Sequence, residues 1–472
     1  MTWAVHCFKA YDIRGIAHSE LDTSFAERLG HALATFLDCS ALAVGRDIRE
    51  SSPDLHDAFV KGLTSIGVDV HDLGICTTGA LYHATSSLKV DGGVMITASH
   101  NPPEYNGFKM CRGTAAMAGD EIQELRAVFE SGNFRKSDNS GTHILLDDFT
   151  NQHLEAVVSA TGGISRPVNA VIDSANAVPG PFMVALAEML GSTGDSIHCQ
   201  WDNTFPNHPP DPTRPKNMVD LSEAVVTSSA EFGVGVDGDG DRIGVVDEMG
   251  RFIHPDRLLA VFAEDVLSNI PNDAPEEART VIHDVKCSMA LEHTIRHNGG
   301  VPHMMRTGHS FLKQALREMP QCPLAGEMSG HFFFHDRWNG FDDSLYAFAR
   351  LVELVARRLP NGEPFSSLFD NIPDFPSTGE AKVPLTGERF ATMAAVKEAF
   401  GDLESNQADG VRVRYDGHLG IEAGWFLCRP SNTEPILVMR AEADSEEGLS
   451  AIREDVTHRI GDLIDLALFH SA

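Results

Sequence analysis

Short apolar runs alternate with amphipathic segments along most of the chain. Residues 41–45, 68–73 and 93–97 are typical of strands, while 53–66 and 79–88 carry the spacing of helices. Strands that alternate with helices form mostly parallel sheets with right-handed crossovers. The pattern therefore predicts an α/β fold.

The same rhythm continues beyond residue 150 and predicts further domains. The predicted strands there are 168–173, 232–236, 243–246 and 281–285, and the predicted helices are 181–190, one that begins at 255, and 343–359. Residues 364–379 are rich in proline and small polar residues, which predicts a linker. A chain of 472 residues is too long for one core. We expect four domains, at 1–150, 151–253, 254–366 and 367–472, the last a smaller α+β domain.

Composition narrows the class of protein. The chain has 37 basic and 68 acidic residues and a net charge of −31, which disfavours nucleic acid and anionic membranes as partners. Its eight cysteines show no Cys-x-x-Cys spacing, and the N-terminus has no basic region followed by an apolar run. We therefore expect reduced thiols and a cytoplasmic protein.

The predicted strand 93–97 stops at a small polar cluster, Ser99-His100-Asn101-Pro102. Asn-Pro favours a turn, and ligands of open α/β sheets bind at the carboxyl ends of strands. Ser99 is therefore a candidate nucleophile or phosphoryl carrier. The alternative is an ordinary turn, in which serine and asparagine are common.

Three carboxylates, Asp237, Asp239 and Asp241, alternate with two glycines. The glycines permit a tight fold in which the carboxylates converge, and oxygen ligands suit Mg²⁺, Ca²⁺ or Mn²⁺. An EF-hand loop is the competing interpretation, with Glu248 at its twelfth position, but Arg242 stands where that loop needs glycine. A solvated acidic turn is disfavoured because strand-like segments flank the loop on both sides.

Two further segments suggest ligand binding. If residues 326–331 are extended, Glu327, Ser329 and His331 share one face and could read sugar hydroxyls, although a lone histidine is usually structural. Residues 429–435 combine one arginine with small donors and a constrained backbone, which suits a phosphate. A polar loop between strands is the alternative for this second segment.

Taken in order, these segments resemble the α-D-phosphohexomutase family, in its phosphomannomutase/phosphoglucomutase branch. Residues 8–15, 97–102, 105–109 and 307–310 are similar as well, so the resemblance covers nearly the whole chain. It implies three similar mixed-sheet α/β domains and a smaller C-terminal α+β domain. It also implies a heart-shaped molecule with a central cleft, which closes by rotation of the last domain.

The resemblance further implies a reaction and its cofactors. Ser99 would carry a phosphoryl group, and Asp237, Asp239, Asp241 and a phosphoserine oxygen would hold one Mg²⁺. The enzyme would interconvert mannose 6-phosphate and mannose 1-phosphate, and the glucose equivalents. Glucose 1,6-bisphosphate or mannose 1,6-bisphosphate would be the intermediate and activator, and it would reorient in the site.

Residue roles are carried over by the same resemblance. The implied catalytic residues are Ser99, His100, Lys109, Arg242 and His309. The implied substrate-binding residues are Tyr11, Arg14, Lys286, His309, Glu327, Ser329, His331, Arg429, Ser431, Asn432 and Thr433. The general acid–base stays open among Lys109, His309 and His331.

Two rival functions are considered. A phosphoglucosamine mutase is the alternative within the family, although Met328 and Asn432 resemble the mannose/glucose branch. A phosphosugar-binding protein without catalysis is the other, and the intact Ser99, Asp triad and Lys109 argue against it. Hexose phosphates are the expected partners, and a monomer is expected by analogy.

Overall fold

The computed structural model describes residues 3–385, 387–431 and 435–471. Its first domain has a seven-stranded sheet in the order β1-β5-β4-β2-β3-β7, with β6 beside β5. The strands are β1 (Ile13–Ile16), β2 (Ala41–Arg46), β3 (Asp69–Ile75), β4 (Gly92–Ile96), β5 (Tyr105–Arg112), β6 (Ala115–Ala116) and β7 (His143–Leu145). The helices are α1 (Thr23–Leu37), α2 (Ser52–Ser65), α3 (Thr78–Ser87) and α4 (Asp120–Ser131).

The second domain has a five-stranded sheet in the order β12-β11-β10-β8-β9. Its elements in chain order are α5 (Phe149–Ala160), β8 (Ala170–Asp173), α6 (Pro179–Leu190), β9 (Ser196–Ile197), α7 (Val219–Ser228), β10 (Phe232–Val236), β11 (Ile243–Asp247) and β12 (Phe252–Ile253).

The third domain has a four-stranded sheet in the order β14-β13-β15-β16. Its elements are α8 (Pro255–Ser268), β13 (Thr280–Asp284), α9 (Met289–His297), β14 (Val301–Met305), α10 (His309–Glu318), β15 (Leu324–Gly326), β16 (Phe332–Phe334) and α11 (Ser344–Arg358).

The fourth domain has a five-stranded antiparallel sheet in the order β17-β21-β20-β19-β18. Its elements are β17 (Ala381–Pro384), α12 (Arg389–Ala399), β18 (Ser405–Asn406), β19 (Val411–Arg414), β20 (Gly424–Pro430), β21 (Ile436–Ala443), α13 (Glu446–Ile460) and α14 (Ala467–Ser471).

One arrangement of four strands recurs in the first three domains. In each, two successive strands pair in parallel, a third pairs in parallel with the first of them, and a fourth returns antiparallel to the third. These sets are β2-β3-β4-β5, β8-β9-β10-β11 and β13-β14-β15-β16. The three similar mixed sheets expected from the resemblance are therefore confirmed, although the sequence shows no repeat.

The hydrophobic cores show which domains are packed into one unit. The first and fourth domains have cores of their own. The second and third share one continuous core, in which Leu186 of α6, Phe232 of β10, Phe262 of α8 and Phe348 of α11 are all buried. This shared core makes the central two sheets a common support for the loops between their strands.

The linker predicted for residues 364–379 is partly wrong. A short 3₁₀ helix, Phe365–Phe369, lies in this segment, and its aromatic residues are buried. The ring of Phe365 stacks on that of Phe232 with centroids 4.8 Å apart. Burial of these apolar side chains outweighs the turn-forming prolines around them, so the connection begins only after Ile372.

No helix among the described residues is long and apolar enough to cross a membrane. All eight cysteines are buried free thiols.

Candidate active site

Four loops from the four domains line one cleft of about 1330 Å³. Ser99 lies between β4 and β5, Asp241 between β10 and β11, and Glu327 between β15 and β16, so the first three loops occupy the same position in three equivalent sheets. Arg429 and Ser431 come from the end of β20 in the fourth domain. The predicted convergence of the four segments is therefore seen in the structure.

Ser99 is buried at the start of the first loop, with a backbone φ of +48°. Its N–H donates to Thr97 Oγ1 at 2.9 Å, and its Oγ donates to Asp237 Oδ2 at 2.7 Å. A left-handed serine costs about 1–3 kcal/mol and persists only where the surroundings fix it. The loop therefore presents the Ser99 hydroxyl in one orientation, against the metal loop.

Arg49 supplies much of that fixation and was not found from the sequence. It is fully buried, and its two terminal nitrogens donate to four backbone carbonyls of the loop, those of Ser99, Asn101, Pro102 and Tyr105. Its Nε donates to Asp47 Oδ2 at 3.0 Å. All five guanidinium N–H groups are thereby used, which makes Arg49 a positioning residue for Ser99.

The three aspartates of the second loop converge as predicted. Asp237, Asp239 and Asp241 are fully buried, and one oxygen of each lies within 4.8 Å of the others. Asp237 Oδ1 accepts from three backbone N–H groups of its own loop, at 3.0–3.1 Å. Oδ1 of Asp239 and Oδ1 of Asp241 accept no hydrogen bond from any described residue. Unpartnered buried carboxylate oxygens beside one another fit a hard divalent cation.

Lys109 provides the positive charge next to this cluster. Its Nζ donates to Asp239 Oδ2 at 2.7 Å and to Asp241 Oδ2 at 2.5 Å. Burial disfavours the charged lysine, but the three carboxylates outweigh it and raise the pKa of Lys109 above its ordinary value. Lys109 is therefore an ammonium ion at neutral pH and a poor proton acceptor.

The remaining electrostatic repulsion among the three carboxylates acts most strongly on Asp237. Burial, together with the charges of Asp241 and Asp239, raises the pKa of Asp237 well above its ordinary value. Burial acts the same way on Asp241, yet Lys109 and His331 hold the pKa of that carboxyl well below its usual range. Ionisation of all three carboxylates is therefore unfavourable in this cluster, and a bound cation would favour it.

The absence of a side chain at Gly238 allows the Ser99 loop and the Asp237 loop to pack closely. A Cβ at this position would lie 2.1 Å from the carbonyl oxygen of Ser99.

We expect Gly238→Ala to push the metal loop away from Ser99 and to lower kcat/KM by about 100-fold, because a displacement near 1 Å has that effect on positioned groups. Steady-state assays with sugar phosphates measure the loss. Gly401→Ala, whose Cβ would lie 3.2 Å and 3.9 Å from two carbonyl oxygens, serves as control. Equal activity of the two variants would contradict the expectation.

Two stacked histidines and a buried aspartate close the other side of the cluster. The rings of His309 and His331 lie 5.2 Å apart, and His331 Nδ1 is 3.0 Å from Asp342 Oδ2. Arg242 Nε donates to His331 Nε2 at 3.0 Å. Lys313 Nζ lies 2.7 Å from Asp342 Oδ1 and 3.1 Å from His309 Nδ1. Burial and Lys313 lower the pKa of His309 to about 4.

Asp342 and Lys313 were not found from the sequence, because no local motif marks them. Burial would raise the pKa of Asp342, but Lys313 and the two histidines hold it well below its usual range. Asp342 is therefore a carboxylate that can fix the orientation of both imidazole rings.

The extended conformation considered for residues 326–331 is wrong. The segment is a tight turn, with Glu327 N–H donating to the His331 carbonyl at 3.0 Å and a left-handed Gly330. Glu327 still lies in the cleft, where it accepts from Gly308 N–H at 2.5 Å and from Ser329 Oγ at 3.2 Å. The turn, rather than strand alternation, brings the three side chains together.

The predicted phosphate-binding residues of the fourth domain lie only partly within the described chain. Arg429 is buried and donates to Asp409 Oδ2 at 2.7 Å, and Ser431 N–H donates to the Ile436 carbonyl at 2.9 Å. Asn432 and Thr433 lie outside the described residues. Asp409, which the sequence did not indicate, also accepts from Thr307 N–H at 3.1 Å and so joins the fourth domain to the third.

The other predicted residues also lie at the cleft. Arg14 donates to Asn101 Oδ1 at 2.7 Å, beside the Ser99 loop. His100 Nδ1 is 3.1 Å from Ser99 Oγ, and burial and Arg242 lower the pKa of His100 well below its usual value. Tyr11 donates to the Thr307 carbonyl at 3.3 Å. Lys286 Nζ is 2.9 Å from Glu380 Oε1. All four line the cleft.

A serine hydroxyl against a buried carboxylate cluster, with lysine and arginine beside it, defines an enzyme of phosphoryl transfer. Comparison with known proteins gives the family. Four sequence models of the phosphoglucomutase/phosphomannomutase family match, for alpha/beta/alpha domains I, II and III at residues 6–136, 147–250 and 254–375, and for the C-terminal domain at 380–459.

Sequences of known relatives align with this chain over nearly its full length. A phosphoglucomutase of Neisseria gonorrhoeae is 41% identical, with 94% of this chain and 95% of the relative covered. A phosphomannomutase/phosphoglucomutase of Pseudomonas aeruginosa is 40% identical, with 94% and 93% covered. The crystal structure of a phosphoglucomutase/phosphomannomutase family protein from Burkholderia thailandensis superposes with a TM-score of 0.89 at 38% identity, covering 98% of each chain.

The chain belongs to the phosphoglucomutase/phosphomannomutase family, within the α-D-phosphohexomutases. The family and the class of enzyme expected from the resemblance, an isomerase of the phosphomutase type, are confirmed.

Proposed function

We propose that the protein interconverts mannose 6-phosphate with mannose 1-phosphate, and glucose 6-phosphate with glucose 1-phosphate, through a phosphorylated Ser99. The observation that carries the proposal is the 2.7 Å contact of Ser99 Oγ with Asp237 at the point where the four loops meet. A phosphoryl group on Ser99 would transfer to a sugar hydroxyl, giving a hexose 1,6-bisphosphate. The other phosphate of the reoriented sugar would then return to Ser99.

We assign Asp237, Asp239, Asp241 and an oxygen of phosphorylated Ser99 as the groups that would hold one Mg²⁺. When bound, Mg²⁺ neutralises charge on the transferring phosphoryl group. Lys109 and Arg242 add positive charge from the protein itself. The unpartnered oxygens of Asp239 and Asp241 support this assignment.

We assign the general acid–base role to His331. Lys109 is excluded because two carboxylates hold it as an ammonium ion. His309 is disfavoured because its Nδ1 already faces the Lys313 ammonium at 3.1 Å. His331 Nε2 accepts a hydrogen bond from Arg242, so Nδ1 carries the proton and faces Asp342. For Nε2 to take the proton of the sugar hydroxyl, the Arg242 N–H would first have to turn from Nε2 to the transferring phosphoryl group. The Asp342 carboxylate would then stabilise the imidazolium that forms.

Both ends of the sugar must meet Ser99, so the distal phosphate must be held equally well in either pose. Arg429, Ser431, Asn432 and Thr433 would form that clamp, with Asp409 orienting Arg429. Glu327 and Ser329 would bind sugar hydroxyls, and Arg14, Lys286 and Tyr11 would complete the polar lining. A monomeric cytoplasmic enzyme, without nucleic-acid or membrane partners, completes the proposal.

The test is kcat/KM on mannose 1-phosphate, glucose 1-phosphate and glucosamine 1-phosphate, with Mg²⁺ and a trace of hexose 1,6-bisphosphate. Comparable high values on the first two support a dual enzyme. A clear preference for the third would make it a phosphoglucosamine mutase. No turnover of any, with Ser99 unmodified by intact mass, would favour a phosphosugar-binding protein.

We expect Ser431→Ala to weaken substrate binding more than it slows transfer from Ser99. Loss of a hydrogen bond to a charged group costs about 1.5–3 kcal/mol, so KM should rise roughly 10- to 100-fold. Single-turnover transfer at saturating substrate should stay within about threefold of the parent enzyme. Ser405→Ala, in the edge strand β18 of the same domain, is the matched control. Equal losses in binding and in transfer would refute this division of roles.

A further inference from the structure

Two histidines and one aspartate meet in the second domain, outside the active-site cleft. Asp173 is the last residue of β8, His198 follows β9, and His208 lies in the segment between β9 and α7. One ring nitrogen of each histidine and one Asp173 oxygen all lie within 4.8 Å of one another. None of the three lines the cleft, so the group is separate from the Asp237 loop.

The close approach of His208 Nε2 and Asp173 Oδ2 requires a positively charged species, a proton or a cation, that both atoms bind. His208 Nδ1 lies 3.0 Å from the Pro209 carbonyl oxygen, which can only accept, so Nδ1 carries a hydrogen. The other ring nitrogen, Nε2, lies 2.9 Å from Asp173 Oδ2. A neutral ring would place a lone pair against the carboxylate at this distance. Either a second proton must therefore lie between them, or a metal ion must bind both atoms from one side.

Outer contacts hold the three candidate ligands in place. Asp173 is only 2% exposed, and its Oδ1 accepts from Ala175 N–H at 2.9 Å. His198 Nε2 lies 3.1 Å from Asp220 Oδ2, which adds a second carboxylate beside the group. Metal-bound histidines and carboxylates are typically oriented by such contacts to carboxylates and to the backbone.

The backbone around the group is unusually strained. Ala175, Asn176, His198 and Phe205 all have left-handed φ values, between +47° and +60°. A left-handed backbone is unfavourable in residues other than glycine and persists only where the surrounding structure holds it. A cation that ties Asp173 to both histidines would help to offset this cost.

We propose that Asp173, His198 and His208 form a second metal site, for a transition-metal ion of the Zn²⁺ type. Two imidazole nitrogens and one carboxylate suit Zn²⁺, whereas Mg²⁺ prefers oxygen ligands. The ion would take the place of the proton at His208 Nε2, and that proton would leave to solvent. The site would fasten the end of β8 to the segment that carries Asp211 into the cleft.

The test measures bound zinc by mass spectrometry after equilibration with a buffered low concentration of free Zn²⁺ and a large excess of Mg²⁺, which keeps the Asp237 cluster occupied. We expect about one Zn²⁺ per chain in the parent protein. In the double variant His198→Ala/His208→Ala, affinity should fall at least about tenfold, the usual effect of disturbing a metal site. Zn²⁺ should also raise the Tm of the parent and leave that of the variant unchanged.

The control removes a different pair of histidines. His293→Ala/His297→Ala deletes two neighbouring rings on α9, 6.2 Å apart, and should keep the Zn²⁺ affinity of the parent. If the first double variant does not fold, judged by its Tm without zinc and its Mg²⁺-dependent activity, Asp173→Asn replaces it. Equal Zn²⁺ affinity in the parent and in a folded variant of the three ligands would overturn the proposal, as would loss of the bound zinc in the α9 control.

Discussion

Replacement of Ser99 by alanine is expected to abolish mutase turnover while the protein stays folded. The Ser99 hydroxyl, which donates to Asp237 of the metal loop at 2.7 Å, is the group that carries the phosphoryl group in the proposed reaction. Loss of a covalent nucleophile typically costs about 10⁴-fold or more in kcat. A coupled assay for glucose 6-phosphate formation from glucose 1-phosphate gives the rate. Intact mass gives the presence or absence of one phosphoryl group.

The matched control is Ser86→Ala, which removes an exposed hydroxyl from α3. It should keep both the parent rate and the phosphoryl group. Retention of more than about 1% of parental kcat by Ser99→Ala would be incompatible with a covalent role, given the size of effect expected. The same mass measurement on the parent distinguishes the mutase from a protein that only binds phosphosugars.

Replacement of Asp237 by asparagine is expected to separate activity from stability. Asparagine keeps Oδ1 as an acceptor for the three loop N–H groups but removes a charge that the metal would need. We expect kcat/KM to fall by about 10³-fold or more, as for other groups that stabilise transition-state charge. The metal-free variant should nevertheless be more stable than the metal-free parent at neutral pH, because it removes a buried charge that is repelled by Asp241 and Asp239.

The direction of this expected change in stability follows from the raised pKa of Asp237. A carboxyl whose pKa is higher in the folded state holds its proton more tightly there, so the folded state loses stability as pH rises above the unfolded value near 3.8. Asparagine cannot ionise, and the difference between variant and parent should therefore grow as pH rises toward neutrality. Urea unfolding in a chelator at several pH values measures this difference.

Asp241→Asn is the matched contrast. Lys109 holds the pKa of Asp241 well below its usual range, so the charge of Asp241 stabilises the fold above the unfolded pKa. Both substitutions should abolish activity, but Asp241→Asn should destabilise the metal-free protein. If the two variants changed stability in the same direction, the distribution of charge derived for this cluster would be wrong.

The sequence predicted best those features that depend on residues close together along the chain. Ser99 and the Asp237 loop each follow a recognisable strand directly, and the spacing of glycines and carboxylates requires a tight loop. The helices were found with small errors at their starts; α6, for instance, begins at Pro179 rather than at 181. Local patterns of this kind need only the residues on either side to be interpreted.

The residues missed from the sequence act across long separations. Arg49 donates to carbonyls about fifty positions away. Asp342 lies against His331 and Lys313, which come from separate parts of the chain. Asp409, in the loop before β19, pairs with Arg429 of β20. A single arginine or aspartate in a loop carries no local mark of such a contact. The turn at Gly330 and the buried Phe365 were misread for a related reason, since tertiary packing decided both conformations.

The recurrence of one loop position in three sheets has a consequence for how this enzyme could change. In the proposed reaction each of the first three domains contributes a different group from the loop between the third and fourth strands of its recurring four-strand set. The strands mainly hold these loops, although Lys109 of β5 also adds its charge to the site. A substitution in the Glu327 loop could therefore alter which sugar is accepted while the Ser99 and Asp237 loops are left intact. Such a molecule can acquire new substrates one loop at a time, without rebuilding its core.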